Sequence, residues 1–450
     1  MRPIKLTLLG VIILVSGLWL LANTGALPST TLFAVRPAAL QYSGVIAITA
    51  MSLAMMLALR PRWPERWLGG LDKMYRLHKW LGITALVMAI VHWLWVEGPR
   101  WAVKLGLLER PARGPRPPAA NPVEASFASL RGTAETLGEW AFYAAVVLIV
   151  LALIRAFPYR LFYQTHRLLA LAYLVLAFHA VVLLRFDNWT TPLGWMMALL
   201  LAGGVFSAVV VLVRRVGAGR QVNGRIAELV FYPGVKALES VVDVPSGWPG
   251  HRPGQFAFAM SDASEGAHPY TIASGWDPER PRITFITKEL GDHTRRLREK
   301  LRVGQEVRIE GPYGCFTFDD DCPHQIWIGG GIGITPFVAR MKHMALCGDA
   351  PDWPAGQTAH LFHATKDVDE TALVKLAADA EAADVRLHVL VSGRDGHLTG
   401  ARIRAAVPQW RDASLWFCGP AGFGEALRRD FAAAGFPVQQ RFHQELFEMR

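Results

Sequence analysis

Residues 77–96 read LHKWLGITALVMAIVHWLWV, an apolar run with His78 and His92 near its two ends. Roughly 20 helical residues cross the hydrocarbon core of a bilayer, so the stretch has the length of one membrane span. A polar ring inside such a span is costly and marks a functional position. A second stretch of the same kind, 162–184, holds His166 and His179, and no other histidine occurs before residue 218. Spacings of 14 and 13 residues correspond to about 20 Å at about 1.5 Å per residue, so each helix offers one imidazole near either face of the bilayer. A spacing of 14 returns to within about 40° of the same helix face, whereas 13 misses it by about 140°. The span holding His166 and His179 must therefore twist, or present its two rings at laterally offset positions.

Working outward, four more apolar runs reach membrane length: 4–21, 39–59, 136–155 and 192–213. Six crossings return both ends of the membrane half to one side. Lys and Arg accumulate in cytoplasmic loops, and here Arg2 and Lys5 precede the first run, while Arg60, Arg62, Arg66, Lys73, Arg76 and Lys79 surround the turn after the second. Arg155, Arg160 and Arg167 surround the turn after the fourth run, and Arg214, Arg215 and Arg220 follow the last. The segment 97–135 breaks the pattern with Arg100, Lys104, Arg110, Arg113 and Arg116, but its length weakens its vote. Its prolines from Pro111 to Pro122 predict an exposed, non-helical external loop. The first run also has signal-peptide features, with small residues near Ala22 to Ala26, and cleavage there would leave the remaining topology unchanged.

Spans three and five cross in the same direction, so His78 is expected to meet His166 at the inner level, and His92 to meet His179 at the outer level. Two bis-histidine sites of this kind suit two b-type haems held without a CxxCH attachment sequence. Tyr173, midway between His166 and His179, is either an aromatic bridge between the levels or a core residue.

The 450 residues are 52% hydrophobic with a formal net charge of +10. The apolar excess sits in the spans and much of the positive charge between them, where it reads as a topology signal and not as a nucleic-acid surface. The four cysteines, Cys315, Cys322, Cys347 and Cys418, have no CxxC spacing, which argues against a zinc site, an iron–sulfur cluster or a disulfide framework and fits a reducing compartment.

Beyond residue 217, short β-branched and aromatic runs cover 224–232, 238–244, 255–260, 282–288 and 306–310, the pattern of a small antiparallel barrel. Buried runs at 326–328, 360–364, 386–391 and 414–418 then each lead into a helix-like segment, which predicts a doubly wound parallel sheet. The fold class is therefore multi-domain: a six-helix transmembrane haem-binding bundle over 1–217, an antiparallel β-barrel over 218–318, and a doubly wound α/β domain over 319–450, the last two expected from the motifs and resemblance below to be an FAD domain and a nucleotide-binding domain.

His268, Pro269, Tyr270, Thr271, Ile272, Ala273 and Ser274 offer what a flavin needs. Tyr270 is a flat aromatic neighbour, Thr271 brings a hydroxyl near the reactive nitrogen, and His268 can reach a phosphate or the ribityl chain. Lys288, Gly291, Asp292, His293 and Thr294 open a predicted helix whose free N–H groups suit a pyrophosphate. Gly329, Gly330, Gly331, Ile332, Gly333, Ile334, Thr335 and Pro336 follow a buried strand and open another helix, so backbone can approach a dinucleotide. Cys418, Gly419 and Pro420 end a later strand, and Gly311, Pro312, Tyr313 and Gly314 stand at the junction of the two subdomains.

Together with the histidine helices, these motifs resemble the ferric reductase and NADPH oxidase superfamily over nearly the whole chain. The His-Pro-Tyr-Thr strand is similar to the flavin-binding strand of ferredoxin reductases, in the His-Pro variant of ferric reductases and NADPH oxidases. Cys418 to Pro420 resembles the nicotinamide-side motif. The resemblance implies NADPH as donor, with NADH as the alternative, FAD and two b-type haems as carriers, and Thr271, Cys418 and Phe447 at the site of hydride transfer. Phe447 is the candidate ring displaced by nicotinamide, with Phe442 as the fallback. Ser274 joins the cofactor-binding set, and Lys366 and Arg394, each just after a sheet strand, are candidate cations for the extra phosphate of NADPH. The implied setting is the lipid of the inner (plasma) membrane, with the reductase domains cytoplasmic. The acceptor stays open between dioxygen giving superoxide, which is the first expectation, a ferric chelate drawn by the basic residues of 97–135, and a periplasmic partner protein or quinone served by a relay.

Overall fold

Asn121-Pro122 and Thr191-Pro192 each place a side-chain acceptor just before a proline at the first helical position, where its missing N–H costs nothing. Asn121 Oδ1 accepts from Glu124 N at 2.9 Å, and Thr191 Oγ1 from Gly194 N at 3.4 Å. These caps start two helices of the computed structural model, which describes residues 2–24, 32–109, 121–154, 156–245, 247–262, 265–347 and 356–445. The chain divides into a membrane unit before residue 217 and a second unit over Gly217–Met449 together with Gly69–Asp72.

The membrane unit contains α1 (Arg2–Ala22), α2 (Leu32–Ala58), the short α3 (Glu65–Leu68), α4 (Leu71–Lys104), α5 (Pro122–Leu153), α6 (Tyr159–His166), α7 (Leu168–Leu183) and α8 (Pro192–Leu212). Counting α6 and α7 as one span, six of its helical segments are long and apolar enough to cross a membrane. Their core joins Trp19, Ile46, Tyr173, Met197 and Leu201, while Leu21, Val147, Leu199 and Phe206 are exposed as a lipid-facing surface requires. One expectation is corrected. The segment 97–135 is not all loop: α4 runs on to Lys104, carrying Arg100 and Lys104 on a helix, and α5 begins at Pro122 because that proline occupies its first position. Pro111, Pro115, Pro117 and Pro118 lie outside the described residues, as do Arg110, Arg113 and Arg116. The fifth span is interrupted at Arg167, where Ala170 N bonds the Arg167 carbonyl at 3.0 Å in a tightened turn, and this is the local twist between His166 and His179.

In the second unit, β1 (Gln221–Tyr232), β2 (Ala237–Asp243), β3 (Phe256–Met260), β4 (His268–Thr271), β5 (Arg282–Lys288) and β6 (Glu306–Tyr313) pair antiparallel in the order β4-β3-β6-β1-β2-β5. An isolated antiparallel bridge from Ile272 to Phe285 joins the two edges and closes the barrel, around Ile226, Val242, Phe285 and Ile309. Helix α9 (Asp292–Lys300) follows β5.

The α/β part runs β7 (His324–Gly330), α10 (Thr335–Cys347), β8 (Thr358–Thr365), α11 (Glu370–Ala382), β9 (Val385–Val391), α12 (Ser392–Asp395), α13 (Gly400–Ala406), β10 (Ala413–Cys418), α14 (Ala421–Ala433), α15 (Val438–Arg441) and β11 (Phe442–Gln444). All its strand pairings are parallel, in the order β11-β10-β7-β8-β9. Strand β11 was not anticipated, and it corrects the fallback role of Phe442: that ring is buried in the core with Phe417, Phe431 and Phe436 and is not free to cover a flavin.

Candidate functional site

On α4, His78 and His92 stand about 20 Å apart at about 1.5 Å per residue. The His78 ring lies 5.9 Å from that of His166 at the end of α6, and the His92 ring 6.3 Å from that of His179 on α7, with ring planes at 65° and 80°. Two nitrogens at about 2 Å from one metal ion, one on either side of it, separate their ring centroids by about 6 Å, so the rings of each pair are spaced to hold one metal ion between them. Second contacts orient three of the rings. His78 Nδ1 meets the Ala54 carbonyl at 2.9 Å, His92 Nδ1 the Leu40 carbonyl at 3.0 Å, and His179 Nδ1 the Ala134 carbonyl at 2.8 Å. A carbonyl only accepts, so each Nδ1 carries the proton and each Nε2 presents a lone pair, as in metal-ligating histidines. A glycine one turn after two of these carbonyls makes room for the ring. A Cβ on Gly138 would stand 2.0 Å from His179 Nδ1, and one on Gly44 3.3 Å from His92. The donor set therefore fits a six-coordinate haem iron at each level. Tyr173 is fully buried, and its hydroxyl pairs with Ser52 on α2 at 2.8 Å.

The flavin-motif residues gather on β4 and the start of α9. Thr271 Oγ1 is buried with no hydrogen-bond partner among the described residues, which is what a site for a polar ring system leaves behind when the protein is described alone. Tyr270 Oη and His293 Nε2 are 2.8 Å apart, and His268 stacks on His293 at 3.6 Å and 12°. Burial, and after it the charge of His293, pushes His268 down to about 4, so its ring is uncharged at neutral pH. Ser274 Oγ accepts from Thr284 N at 3.1 Å and lies 3.4 Å from His251 Nε2, so it fastens β4 to β5. Thr294 Oγ1 accepts from Leu290 N at 2.9 Å and Gly291 N at 3.1 Å, which shapes the turn entering α9 at Asp292. Lys288 pairs with Asp367 at 2.7 Å.

The glycine-rich loop packs hard on the end of β10. A Cβ on Gly333 would stand 2.2 Å from the Cys418 carbonyl, one on Gly330 2.9 Å from Pro420, one on Gly329 3.0 Å from Ile334, and one on Gly419 3.0 Å from Gly330. Gly331 differs: its φ is +56°, and the space around it is open, so backbone is exposed there for a ligand to approach. Thr335 Oγ1 donates to the Ile332 carbonyl at 2.8 Å at the head of α10, where Pro336 is buried. A cavity between the loop and the barrel is bordered by Gly331, Ile332, Lys288, Thr365 and Asp367. Lys366 follows β8 and is exposed, whereas Arg394 in α12 is held by Asp395 at 3.0 and 3.1 Å. Gly311 and Pro312 lie within β6. Phe447 lies outside the described residues.

Cys418 is fully buried in register with Gly329, and burial, then the charge of Glu445, pushes its thiol well above the usual range. Glu445, itself only 6% exposed, was missed from the sequence. Its one signal was an acidic residue close to Phe447.

Residues 43–177 match the family described as "Ferric reductase like transmembrane component". An NADPH oxidoreductase of Mycobacterium tuberculosis is 30% identical over 149 residues, covering 33% of this chain and 37% of that protein. The glycine betaine monooxygenase reductase subunit of Chromohalobacter salexigens is 25% identical over 214 residues, covering 44% and 56%. The chain carries a ferric reductase-like transmembrane component joined to a ferredoxin-reductase-type FAD/NAD(P)H-binding module. It spans between 37% and 56% of the length of these two curated relatives. Among solved structures, the flavohaem-like FAD/NAD-binding domain of nitric oxide dioxygenase from Vibrio cholerae is similar to this chain at 18% identity and a TM-score of 0.42, covering 50% of the chain and 97% of that domain. With its transmembrane component, the chain is a multi-pass membrane protein.

Proposed function

We propose that the chain is a transmembrane NAD(P)H oxidoreductase that takes electrons from NADPH on the cytoplasmic side and delivers them to an acceptor across the membrane, dioxygen in the first reading, with superoxide as product. The observation that carries this reading is the two levels of paired histidines, three of whose rings are held with Nδ1 on a backbone carbonyl and Nε2 left as a ligand. Bound FAD accepts a hydride and bound haem iron passes single electrons. The chain's own residues bind and orient. His78 with His166 and His92 with His179 hold the two haems, while Tyr270 and Thr271 face the flavin ring, with Thr271 Oγ1 supplying a buried hydroxyl. The N-terminus of α9 and His268 receive the flavin phosphates, and Gly331 lets the nicotinamide nucleotide approach the backbone. Cys418 and Glu445 shape the nicotinamide pocket, and Lys366 and Arg394 select NADPH over NADH, the latter after exchanging Asp395 for the phosphate.

A second reading, ferric-chelate reduction, is favoured by Lys104 and by Arg100, the latter paired with Glu97, on the extension of α4, which keeps a net positive charge suited to an anionic chelate. Purified protein loaded with FAD and haem and supplied with NADPH tests both. Cytochrome c reduction abolished by superoxide dismutase is expected. Dismutase-insensitive chelate reduction under argon without oxygen consumption would overturn the oxidase reading, and inactivity towards both acceptors would point to a relay to a partner protein or quinone.

A further inference from the structure

We infer that Glu265 and His293 are a positioning pair that fixes the hydroxyl of Tyr270, a layer of the flavin site beyond its binding motifs; the inference rests on the flavin reading above. Glu265 contacts His293 Nδ1 on one side and Lys300 Nζ on the other, and His293 Nε2 meets Tyr270 Oη at 2.8 Å. The result is a continuous polar chain, Lys300–Glu265–His293–Tyr270, running from α9 through the segment before β4 and the first turn of α9 into β4. Burial raises the Glu265 carboxyl, but the hydrogen bonds from Lys300 and His293 outweigh it and hold the group below the usual carboxylate range. It is thus a pure acceptor at neutral pH, the proton between it and His293 sits on Nδ1, and Nε2 faces the phenol. The ring is fixed in its plane by these two bonds and out of it by the His268 stack at 3.6 Å. Side chains are 14% exposed at Glu265 and 21% at His293, so water competes little for either bond.

Because His293 belongs to the start of α9 and Tyr270 to β4, the pair couples the phosphate end of the flavin site to its ring end. Neither residue type predicts this from the motif, since Glu265 and His293 are 28 positions apart. A metal ion is the rival occupant, because Glu265, His268 and His293 bring donor atoms within 4.8 Å of one another. The geometry opposes it. An imidazole binds metal in its ring plane, and two rings stacked face to face cannot both do so to one ion; both nitrogens of His293 are also engaged.

The test uses the full chain in detergent, measuring FAD affinity and the fluorescence of bound FAD in Glu265→Gln, Glu265→Asp, Tyr270→Phe and the Glu265→Gln/Tyr270→Phe double variant. Glu265→Gln is expected to weaken FAD binding about tenfold, the low end of what a lost charged hydrogen bond changes. It should also raise the fluorescence of bound FAD as Tyr270 loses its fixed orientation, with partial recovery in Glu265→Asp. In the Tyr270→Phe background the same substitution should add less than about twofold, the signature of a shared path. Unchanged affinity and fluorescence in Glu265→Gln, an undiminished tenfold effect without the Tyr270 hydroxyl, or one equivalent of zinc that disappears with Glu265→Gln would each overturn the inference. Should Glu265→Gln fail to fold, Lys300→Met carries the test, with a smaller loss in the same direction expected and no change counting against it. Wild-type protein that binds no FAD would instead overturn the flavin reading itself.

Discussion

Glu239 is 5% exposed, yet it bears a carboxylate. Lys375 Nζ lies 2.8 Å from both its oxygens and Tyr232 donates to it at 2.7 Å. Burial pushes the Glu239 carboxyl up, but the hydrogen bonds of Lys375 and Tyr232 and the charges of Lys342 and Lys375 outweigh it and hold it below its usual range. Burial likewise lowers Lys375, and Glu239 more than restores it. Lys375→Met leaves the buried acceptor short of a partner, which is expected to destabilise the soluble half by about 1–3 kcal/mol in denaturant unfolding. Glu239→Leu combined with Lys375→Met should lose less than Lys375→Met alone, since no charge then stays buried. A pair of this kind is illegible in the sequence because its members are 136 positions apart. The same holds for Glu265 with His293, which are 28 positions apart. By contrast, the four membrane histidines and the glycine-rich loop declare themselves, because a polar ring in an apolar span and a run of glycines after a buried strand each need a special explanation on their own.

At the scale of elements, two of the three carbonyls that meet a membrane histidine, those of Leu40 and Ala134, are followed one turn later by a glycine whose missing Cβ leaves room for the ring. Gly138→Ala would push a methyl to 2.0 Å from His179 Nδ1, so the ring must move off the Ala134 carbonyl. The expected outcome is loss of the haem proposed for His92 and His179 from the absorption spectrum, with the other proposed haem retained. Gly132→Ala on the same helix, where a Cβ meets nothing within 4 Å, should leave the spectrum unchanged, and equal loss in both would sink the argument. The helices and most strands follow from the apolar runs, since period and length fix an element even where its ends shift, as for α4 running on to Lys104. The 13-residue spacing called for a twist in span five but could not place it at Arg167, because no proline or glycine marks the spot. Strand β11 escaped notice because three residues carry too little pattern to compete with a terminal loop.

For the molecule as a whole, stability should depend on pH through histidines buried as neutral rings. In the soluble half, burial is the largest cause that pushes His251, His268, His360 and His363 from the ordinary 6.5 down to about 4. Between those limits the unfolded chain binds more protons than the folded one, so stability rises with pH across this window and falls on acidification. Below about pH 4.5 the Glu239 carboxylate adds to the loss, because its folded value is depressed. The thermal midpoint of the soluble half in the full-length protein should therefore drop between pH 7 and pH 5, and a flat profile would contradict the burial of these rings. Orientation is the other property of the whole chain, and it decides which compartment supplies the nucleotide. The basic residues flanking the spans predict a cytoplasmic soluble half, and Cys315 and Cys347 are exposed on that half, whereas Cys418 is buried. A membrane-impermeant maleimide should leave intact cells unlabelled at both exposed cysteines and should modify both in inverted membrane vesicles, with Cys418 reacting only after unfolding. Labelling from outside intact cells would reverse the topology and move the donor site to the other face of the membrane, even with both histidine pairs and the flavin site unchanged.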